Sequence, residues 1–533
     1  MVFEGADKTI NDGEGNLVIE TSRGAAMHRR PSAYQDDFGR RIRVEAGFNE
    51  IARNEFGIKV GPHDRSRDLF IDPYTIGYST YFGGKDYDFT TSIAAAPSGE
   101  VFLTGVTLST DFPVATGNSM SSYVARCDAF VLKMAQDGQS LVYSAFFPLG
   151  SCGGAPHDLV VDETGAATIV GYTSNNKFPI KNAFQEKFAG GQYDGFIVKL
   201  APNGRSLVFS SYFGGSSYDY INAIGLDPQG SAVILGITDS ENLRLYHPIQ
   251  GQIAGSEDAF IAKFSPDGRT LVYSTYLGGS NTEQSERVAV DGAGAAYIVG
   301  TMWSVNFPVK NAFQKFFGGV VDVFVAKLAP DGRRLVYSTY LGGSNADFAT
   351  GIAVEDSGAV VLSGFTNGRF PLYKAFRTVR KGIDGFVTKL APDGQSLVYS
   401  TYFGGSGHDF LECVAVDGKG QVCLAGETSS ADFPLKNAVQ KKKNGTVDSF
   451  ISLLSGDGQS LIFSTFWGGS YYDGARALFI TPDSKSYVAG LTNSPDFPTV
   501  RAFQKLFKGY YDSYLVRLDP KKKAARRMNN NSP

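Results

Sequence analysis

The sequence lacks the features that mark several large classes of protein. Its formal net charge is −3 over 533 residues, so electrostatics give no reason to expect nucleic acid or an anionic membrane as a partner. No apolar run approaches the ~20 residues of a membrane-spanning helix, and no stretch sustains the 3.6-residue period of a core helix. The first 16 residues have no basic segment followed by an apolar core, so no signal peptide is predicted.

The chain is also poor in residues that carry chemistry. It has five histidines, and no HExxH, GxSxG or P-loop pattern occurs. Hydrolysis needs a nucleophile with a base, or a set of metal ligands. The sequence therefore predicts that the protein is not an enzyme, and it assigns no catalytic or metal-ligating residue. The one basic cluster, at 521–528, lies in a tail at 519–533 that is expected to be polar and solvated.

Glycine and aromatic residues are abundant and form a repeat. The chain has 63 glycines, 13% aromatic residues and only 19% charged residues, a composition typical of a turn-rich β-protein. The segment YSTYFGG at 78–84 recurs in related form, and the copies start at 143, 209, 273, 337, 399 and 463. These starts are 62 to 66 residues apart. A period this regular indicates a repeat architecture.

Each repeat contains four short strand signals. The unit that starts near residue 347 reads TGIAVED, AVVLSGFT, DGFVTKL and SLVYSTYFGG, with a long connection between the second and third segments. Asp-Gly turns, such as Asp267-Gly268, join the third and fourth segments as hairpins. Four antiparallel strands in about 64 residues are one blade of a β-propeller.

The count of strands predicts how the ring closes. The second-strand pattern VxGxT and the Asp that opens the third strand each occur seven times, but the last unit ends at 519–520 without a fourth strand. The segment at 78–84 is the missing strand. The sequence therefore predicts an all-β, seven-bladed propeller of four-stranded blades over residues 74–518, closed by an N-terminal strand that completes the last blade.

The repeat GGSxxD…IAVDxxGxxYVxGxTxSxxFPxxxAFQ…DAFVxKLxPDGxxLVYSTYLGG resembles the bacterial SBBP β-propeller repeat family over residues 74–518. The segments PSAYQDDFGRRIRV, FGIKV and LFIDPYTIGYSTYFGG resemble the C-terminal part of a β-rich domain often found before such propellers. The resemblance implies a remnant of that domain at 1–73, a secreted or cell-surface bacterial protein, and no shared catalytic residues. We expect an extracellular or envelope location, with the chain either a fragment of a larger secreted protein or one with a short capping segment.

A propeller brings the fourth-to-first and second-to-third connections to one face, and we expect function there because long loops over a rigid scaffold usually carry binding. Near the start of six first strands stands an acidic residue, with Gly154 at the seventh position. These residues either converge on the channel mouth, where they could attract Ca²⁺, or each accepts backbone hydrogen bonds within its own loop, which we favour. They are Asp88, Asp219, Glu283, Asp347, Asp409 and Asp473.

A few unrepeated residues are further candidates. Trp303, His157 and His247 depart from the repeat in segments assigned to the loop-rich face. Packing over the blade edge is the favoured account of Trp303, His247 is alternatively a loop variant, and His157 lies in an irregular segment. Cys127 and Cys152 both belong to that face and are candidates for a disulfide. Cys413 and Cys423 lie on adjacent strands and are expected to bridge or to remain buried thiols, the latter favoured.

Together these patterns predict a non-catalytic binding or interaction scaffold of the cell surface or secreted type. It would be a monomer that presents its loop-rich face to a protein or glycan, with no nucleic-acid partner, no membrane insertion and no cofactor beyond a Ca²⁺ ion at the acidic residues. One alternative is a lyase or hydrolase with its site at the acidic channel mouth. The other is a structural spacer in a larger surface protein.

Overall fold

The computed structural model describes residues 8–11, 17–21, 24–28, 31, 33–37, 40–52, 55–64, 66, 69–71, 74–96, 98–115, 127–150 and 153–520. Contacts divide the chain into a larger unit, Ile76–Leu518, and a smaller unit that combines Met1–Thr75 with Asp519–Pro533. The described residues form strands and turns only, and no helix that could cross a membrane is found among them.

The smaller unit contains three small sheets, with strand orders β1-β2-β3, β5-β4-β8 and β6-β7. Leu17, Ile19 and Phe56 form one small apolar cluster in this unit, and Ala33 and Val44 belong to a second. The strands are β1 (Lys8–Asn11), β2 (Leu17–Thr21), β3 (Gly24–His28), β4 (Ala33–Asp37), β5 (Arg40–Val44), β6 (Ala46–Ala52), β7 (Glu55–Val60) and β8 (Leu69–Ile71).

The larger unit is a seven-bladed β-propeller of four-stranded antiparallel sheets, as the sequence predicts. The first strands are β10 (Asp88–Ala95), β14 (Ala155–Val161), β18 (Asp219–Leu226), β22 (Glu283–Val290), β26 (Asp347–Val354), β30 (Asp409–Val416) and β34 (Asp473–Ile480). The second strands are β11 (Val101–Thr107), β15 (Ala167–Thr173), β19 (Ala232–Thr238), β23 (Ala296–Met302), β27 (Val360–Thr366), β31 (Val422–Thr428) and β35 (Ser486–Thr492).

The outer half of each blade continues the same order. The third strands are β12 (Asp128–Met134), β16 (Asp194–Leu200), β20 (Asp258–Phe264), β24 (Asp322–Leu328), β28 (Asp384–Leu390), β32 (Asp448–Leu454) and β36 (Asp512–Pro520). The fourth strands are β13 (Leu141–Pro148), β17 (Leu207–Phe213), β21 (Leu271–Leu277), β25 (Leu335–Leu341), β29 (Leu397–Phe403), β33 (Leu461–Trp467) and β9 (Tyr74–Phe82). First strands of neighbouring blades contact one another and surround a central channel.

Strand β9 closes the ring, which confirms the prediction made from residues 78–84. It follows β36 in the sheet β34-β35-β36-β9, so the chain's first propeller strand lies in its last blade. Ser79 N donates to Val500 O (2.7 Å), Ser79 Oγ donates to Pro498 O (2.6 Å) and Tyr81 OH donates to Ser494 O (2.7 Å). These bonds join residues more than four hundred positions apart, so the closure is a long-range contact.

The FP and AFQ segments of the repeat belong to the second-to-third connections, which were expected on the loop-rich face. They lie along the outer edge of the blades instead. In the second blade, Lys181 pairs with Ser210 in the middle of β17, and Ser210 Oγ donates to Pro179 O (2.6 Å). The same serine-to-proline bond forms between Ser338 and Pro308. Each connection thereby covers the open edge of a fourth strand, which would otherwise offer unpaired backbone groups.

The loop-rich face is one end of the propeller. It contains the fourth-to-first connections, together with the first and last residues of the second-to-third connections. In the third blade, Ser217 N donates to Ser240 Oγ (2.9 Å), which joins the two kinds of connection. At the opposite end the strands are linked by tight turns. Gly268 closes one of them with φ 71°, a backbone conformation that glycine adopts without steric cost.

Candidate functional site in the central channel

A β-bulge interrupts all seven first strands at the same place. Pairing with the second strand passes from Thr90 to Ser92 in β10, and from Ser285 to Arg287 in β22, and in each case skips one residue. The other five first strands skip the corresponding residue. Bulges bend a strand and redirect the side chain of the extra residue. Here all seven redirected residues line the channel.

The glycine of the VxGxT pattern lies opposite this bulge. A Cβ at Gly236 would stand 2.1 Å from Tyr220 O, and one at Gly300 would stand 2.2 Å from Gln284 O. The bulge brings the backbone of the first strand too close for any larger residue. The repeated glycine is therefore a requirement of the bulge, and the bulge is what aims one residue per blade into the channel.

We call the seven bulged residues the channel ring. They surround a cavity of about 480 Å³ at the centre of the propeller. All seven are polar or charged, and they are of five residue types, with threonine and glutamate each used twice. The channel ring consists of Thr91, His157, Asn222, Glu286, Thr350, Glu412 and Arg476.

Arg476 is fully engaged by neighbouring acids. Its Nη1 lies 3.0 Å from Glu412 Oε1, and its Nη2 lies 3.1 Å from Glu427 Oε2. Nη2 also donates to Tyr472 OH (2.6 Å), which in turn donates to Glu427. The acids around this guanidinium raise the pKa of Arg476 against the opposing effect of burial. This corner of the channel is a satisfied network and is already occupied by its own partners.

His157 and Asn222 form a second, smaller network. Asn222 Nδ2 donates to Ser285 O (2.7 Å), which leaves Asn222 Oδ1 as an acceptor 3.0 Å from His157 Nδ1. His157 therefore carries its proton on Nδ1. Burial lowers the pKa of His157 to about 4, so the ring is neutral near pH 7 and Nε2 is an acceptor.

Glu286 and Arg287 are the least satisfied residues of the wall. The Arg287 guanidinium donates from Nη1 to Glu286 O (3.0 Å), and within the described part of the chain it makes no other hydrogen bond and no ion pair. The carboxyl group of Glu286 makes none with described residues. Burial raises the pKa of Glu286 to about 7, an effect that Arg287 opposes and Glu412 reinforces.

The charges of the wall are unbalanced. Asp158, Glu286, Glu412 and Glu427 supply four carboxyl groups against the two guanidinium groups of Arg287 and Arg476. Asp158 is satisfied, since its carboxylate accepts from Ser92 Oγ (2.7 Å) and Ile224 N (3.0 Å). Glu286 is the acid left without a bond, and it faces the cavity beside Arg287.

A chain of aromatic rings leads from the channel ring to the loop-rich face. The ring of His157 lies 5.1 Å from that of Tyr172, which lies 4.4 Å from that of Tyr220. Tyr220 stacks on Tyr218 at 6.5 Å, and Tyr218 is 40% exposed. Phe89 lines the cavity itself. The path from solvent to the cavity is thus partly walled by aromatic faces.

The six acidic residues that were candidates for the channel mouth lie between the blades. Asp219 is fully buried and accepts from Gly215 N (2.7 Å), Thr238 Oγ1 (2.5 Å) and Ser240 Oγ (3.0 Å). Each of the other five accepts the equivalent backbone bond from the second glycine of its GG pair, and none lines the cavity. They are Asp88, Glu283, Asp347, Asp409 and Asp473. The loop-capping interpretation is the one this geometry supports.

Each of these acids faces the Asp that opens the third strand of the preceding blade. Burial raises the pKa of Asp194 to about 7, and the nearby Asp219 adds to the rise. Burial likewise raises the pKa of Asp473 and Asp512 to about 7, with Asp448 and Asp88 as the respective charged neighbours. The other acid of each pair, which opens the third strand, accepts hydrogen bonds from the second-to-third connection of its own blade. Asp194, for example, accepts from Ala189 N (2.7 Å).

No group of three or more residues that could hold a metal ion occurs in the described part of the chain. A Ca²⁺ ion between two blades would therefore meet only two of these carboxylates, and both already accept hydrogen bonds. In the fourth blade Met302 replaces the threonine that bonds the acid elsewhere, and Glu283 Oε1 is left without a partner.

The three single-residue candidates fall in different places. His157 is in the channel wall rather than on the loop-rich face. His247 is on the outer edge, with φ 51°, at a position where three other blades use Asn182, Asn311 and Asn437, and its Nε2 lies 3.2 Å from Arg333 Nη2. Trp303 is half-buried at the end of β23, where its N donates to Thr282 O (3.0 Å) on the loop-rich face.

Cys127 is disulfide-bonded, whereas Cys152 lies outside the described residues. Their pairing stays a prediction. Cys413 and Cys423 are free thiols, and burial raises the pKa of both to about 12. Thiols with so high a pKa are poor nucleophiles and metal ligands near pH 7.

Apart from His157, the channel ring escaped prediction, although a signal for it exists in the sequence. The residue three positions after each acidic residue, or after Gly154 in the second blade, is polar or charged in every blade, whereas the positions on either side of it mix apolar and polar residues. In Glu283–Val290 this residue is Glu286, and in Asp473–Ile480 it is Arg476. A position that is polar in every blade, between positions that are not, indicates a polar channel wall.

Comparisons with known proteins describe the fold and little more. Residues 1–74 match the model of a domain of unknown function (DUF7948). No curated protein matches the chain. The assignment of the repeats to the SBBP family stays a prediction.

Several solved structures resemble the chain at low identity. The WD40 β-propeller domain of Doa1 is 9% identical, with a TM-score of 0.44, over 84% of this chain and 98% of that one. A gluconolactonase from Xanthomonas campestris is 12% identical, with a TM-score of 0.29, over 66% and 90%. A europium-containing methanol dehydrogenase is 10% identical, with a TM-score of 0.36, over 83% and 93%. These scores carry no argument about function.

Proposed function

We propose that the protein is a non-catalytic binding scaffold of the secreted or cell-surface type, which receives part of a protein or glycan ligand in its channel through the loop-rich face. The observation that carries this proposal is the channel ring: seven polar or charged side chains of five residue types surround one cavity. Repeated residues serve the blade, whereas a polar set of mixed types around one axis defines an asymmetric surface suited to one ligand.

The unsatisfied groups of the wall support a binding role. Glu286 and Arg287 are half-buried in the channel wall, and their carboxyl and guanidinium groups keep donors and acceptors that no described residue uses. Open polar groups that converge on one cavity are typical of functional sites, where a ligand supplies the partners. A structural spacer has no use for these groups, so the channel favours a binding scaffold over a spacer.

The test compares variants of the whole chain on a column. Immobilised wild-type protein, the double variant Glu286→Gln/Arg287→Met and the control Glu186→Gln/Arg334→Gln are each exposed to an extract of the source cell's envelope. Glu186 and Arg334 are exposed residues outside the channel. We expect one retained protein or glycan that the control keeps and the channel variant loses. Retention that the channel variant shares with wild type would contradict the proposal.

An enzyme is the second candidate, and one observation favours it. Glu286 has a pKa raised to about 7 and faces the same cavity as Glu412, and pairs of carboxyl groups with unlike environments serve as acid and base in hydrolases and lyases. Catalytic release of product from the retained ligand, abolished by both Glu286→Gln and Glu412→Gln, would replace the scaffold proposal by this one.

A further inference from the structure

We propose that the group received in the channel is an uncharged sugar unit, held between the guanidinium of Arg287 and the carboxyl group of Glu286. This inference rests on the proposed function and names the chemistry of its ligand. It follows from three properties of the cavity: the pattern of free donors and acceptors, the mixture of charges and the aromatic lining.

The free donors and acceptors in the wall match hydroxyl groups. Arg287 has five N–H donors, of which one is used by Glu286 O. The carboxyl group of Glu286 offers acceptor sites that no described residue uses, yet it forms no ion pair with Arg287. A hydroxyl group both donates and accepts, so it can bridge a guanidinium N–H to a carboxylate oxygen. A sugar ring presents several hydroxyl groups in a rigid array.

The mixture of charges disfavours charged ligands of either sign. A ligand carboxylate or phosphate would approach Arg287 among the carboxyl groups of Asp158, Glu286 and Glu412, which already surround that guanidinium. A ligand ammonium at Glu286 would approach the positive charge of Arg287, the next residue along β22. Like charges at short range inside a protein repel strongly. A neutral, hydroxyl-rich group avoids both costs.

The remaining lining suits the apolar faces of a sugar. Phe89 and Leu491 line the cavity beside the polar residues. The rings from His157 through Tyr172 and Tyr220 to Tyr218 extend toward the loop-rich face, where further units of a glycan would leave the channel. Aromatic faces pack well against C–H groups, and tyrosine adds a polar tip. The cavity of about 480 Å³ lies at the small end of the ~300–1,000 Å³ range of ligand pockets, which suits a terminal unit.

The experiment measures binding of six defined sugars to the whole chain by calorimetry and by saturation-transfer NMR. Four are uncharged: glucose, galactose, mannose and N-acetylglucosamine. Two are charged: glucosamine and glucuronic acid. We expect at least one uncharged sugar to bind, at least tenfold more tightly than either charged one. Arg287→Met and Glu286→Gln should each weaken that binding at least tenfold, about 1.4 kcal/mol, whereas Arg334→Gln and Glu186→Gln should leave it unchanged.

Circular dichroism and the melting temperature of each variant show whether it is folded. If Arg287→Met does not fold, Arg287→Lys keeps the positive charge, removes the forked donors and provides the same test. Tighter binding of glucosamine or glucuronic acid overturns the inference, and so does sugar binding that neither channel variant weakens. If no sugar binds but the extract still yields a channel-dependent ligand, the inference fails and the proposed function stands. If neither is found, both fail.

Discussion

Asp219 and Glu286 are acids in the first strands of neighbouring blades, and burial raises the pKa of both, yet their surroundings are opposite. Asp219 accepts three hydrogen bonds, and five other blades hold an acid at the same place. Glu286 accepts none from described residues, and the blades on either side place Asn222 and Thr350 at its position. The first environment is built for the fold. The second is left open, as the proposed binding role requires.

The same contrast holds for the two regions as a whole. Between the blades, paired acids, glycines and capping threonines and serines repeat, with Gly154 as the exception, because six of the seven blades meet the preceding blade through the same acid pair. Around the channel, a bulge supported by a repeated glycine points one polar or charged side chain inward from each blade, and these side chains are of five residue types. The repeated framework thus holds an unrepeated surface at fixed geometry. The following predictions test this division, beginning with the largest effect.

Removal of the closing strand should have the largest effect. A chain that lacks residues 1–84 loses β9, and with it the bonds of Ser79 and Tyr81 to the last blade. We expect the melting temperature to fall by more than ~10 °C, with association through the exposed edge of β36. Calorimetry and light scattering measure both. A chain that lacks only residues 1–73 keeps β9 and is the control, and equal behaviour of the two chains would contradict the closure.

A methyl group at the glycine opposite the bulge should be the next most harmful change. Gly236→Ala would place a Cβ 2.1 Å from Tyr220 O and 2.4 Å from Phe260 Cζ. We expect a loss of about 3 kcal/mol or more in the free energy of unfolding, measured by denaturant titration. Gly251→Ala in the same blade meets no atom within 4 Å and should change stability by less than ~0.5 kcal/mol. Equal costs would mean that the bulge does not constrain the glycine.

The two acids should respond differently to truncation. Asp219→Ala leaves Gly215 N, Thr238 Oγ1 and Ser240 Oγ without their acceptor, and we expect a loss of ~2–3 kcal/mol. Glu286→Ala removes a half-buried acid that has no hydrogen bond to a described residue to lose, and stability should stay within ~1 kcal/mol of wild type. Denaturant titrations at pH 7 compare the pair. A larger cost at Glu286 would show that the channel wall, too, serves the fold.

The last prediction concerns pH. Because the pKa values of Asp194, Asp473 and Asp512 are raised from 3.8 to about 7, the folded state binds more protons than the unfolded state between these values. The free energy of unfolding should therefore fall as pH rises from about 4 to about 7. The lysine-paired turn acids Asp162 and Asp227 have lowered pKa values and titrate below this window.

Melting temperatures across that range provide the measurement. Asp194→Asn removes one of the titrating acids and should make the decline shallower. Asp356→Asn, at an exposed turn position, should leave the slope as it is. A melting temperature that rises steadily from pH 4 to pH 7 would show that the paired acids at the blade interfaces do not hold raised pKa values.

The architecture was predictable because the repeat encodes it locally. Three local features act within one blade or between neighbouring blades: the Asp-Gly turns, the four strand signals and the Asp that opens each third strand. Each unit of about 64 residues contains all three and therefore specifies one blade. The count of strands alone also predicted that residues 78–84 complete the last blade. Trp303 is likewise on the loop-rich face, as its position after the second strand implies.

The site was not predictable in the same way. Sequence counting found the acidic residue that starts each first strand, but not which way its side chain points, and the structure places Asp88 and its equivalents between blades. His247 departs from the repeat in sequence, yet it occupies the turn position with positive φ that asparagine occupies in three other blades. Its departure from the repeat therefore does not mark a site. A deviation from a repeat thus becomes informative only when the direction of the side chain is known.

The sequence by itself determined the blade, the number of blades and the closing strand, because these follow from local patterns repeated at a regular period. Only the tertiary structure decided that His157, Glu286, Arg287 and Arg476 share one cavity. Whole blades separate His157, Glu286 and Arg476 along the chain, and the bulge that turns these three inward exists only when first and second strands pair. Their proximity is a property of the closed ring, in which seven strands distant in sequence meet around one axis.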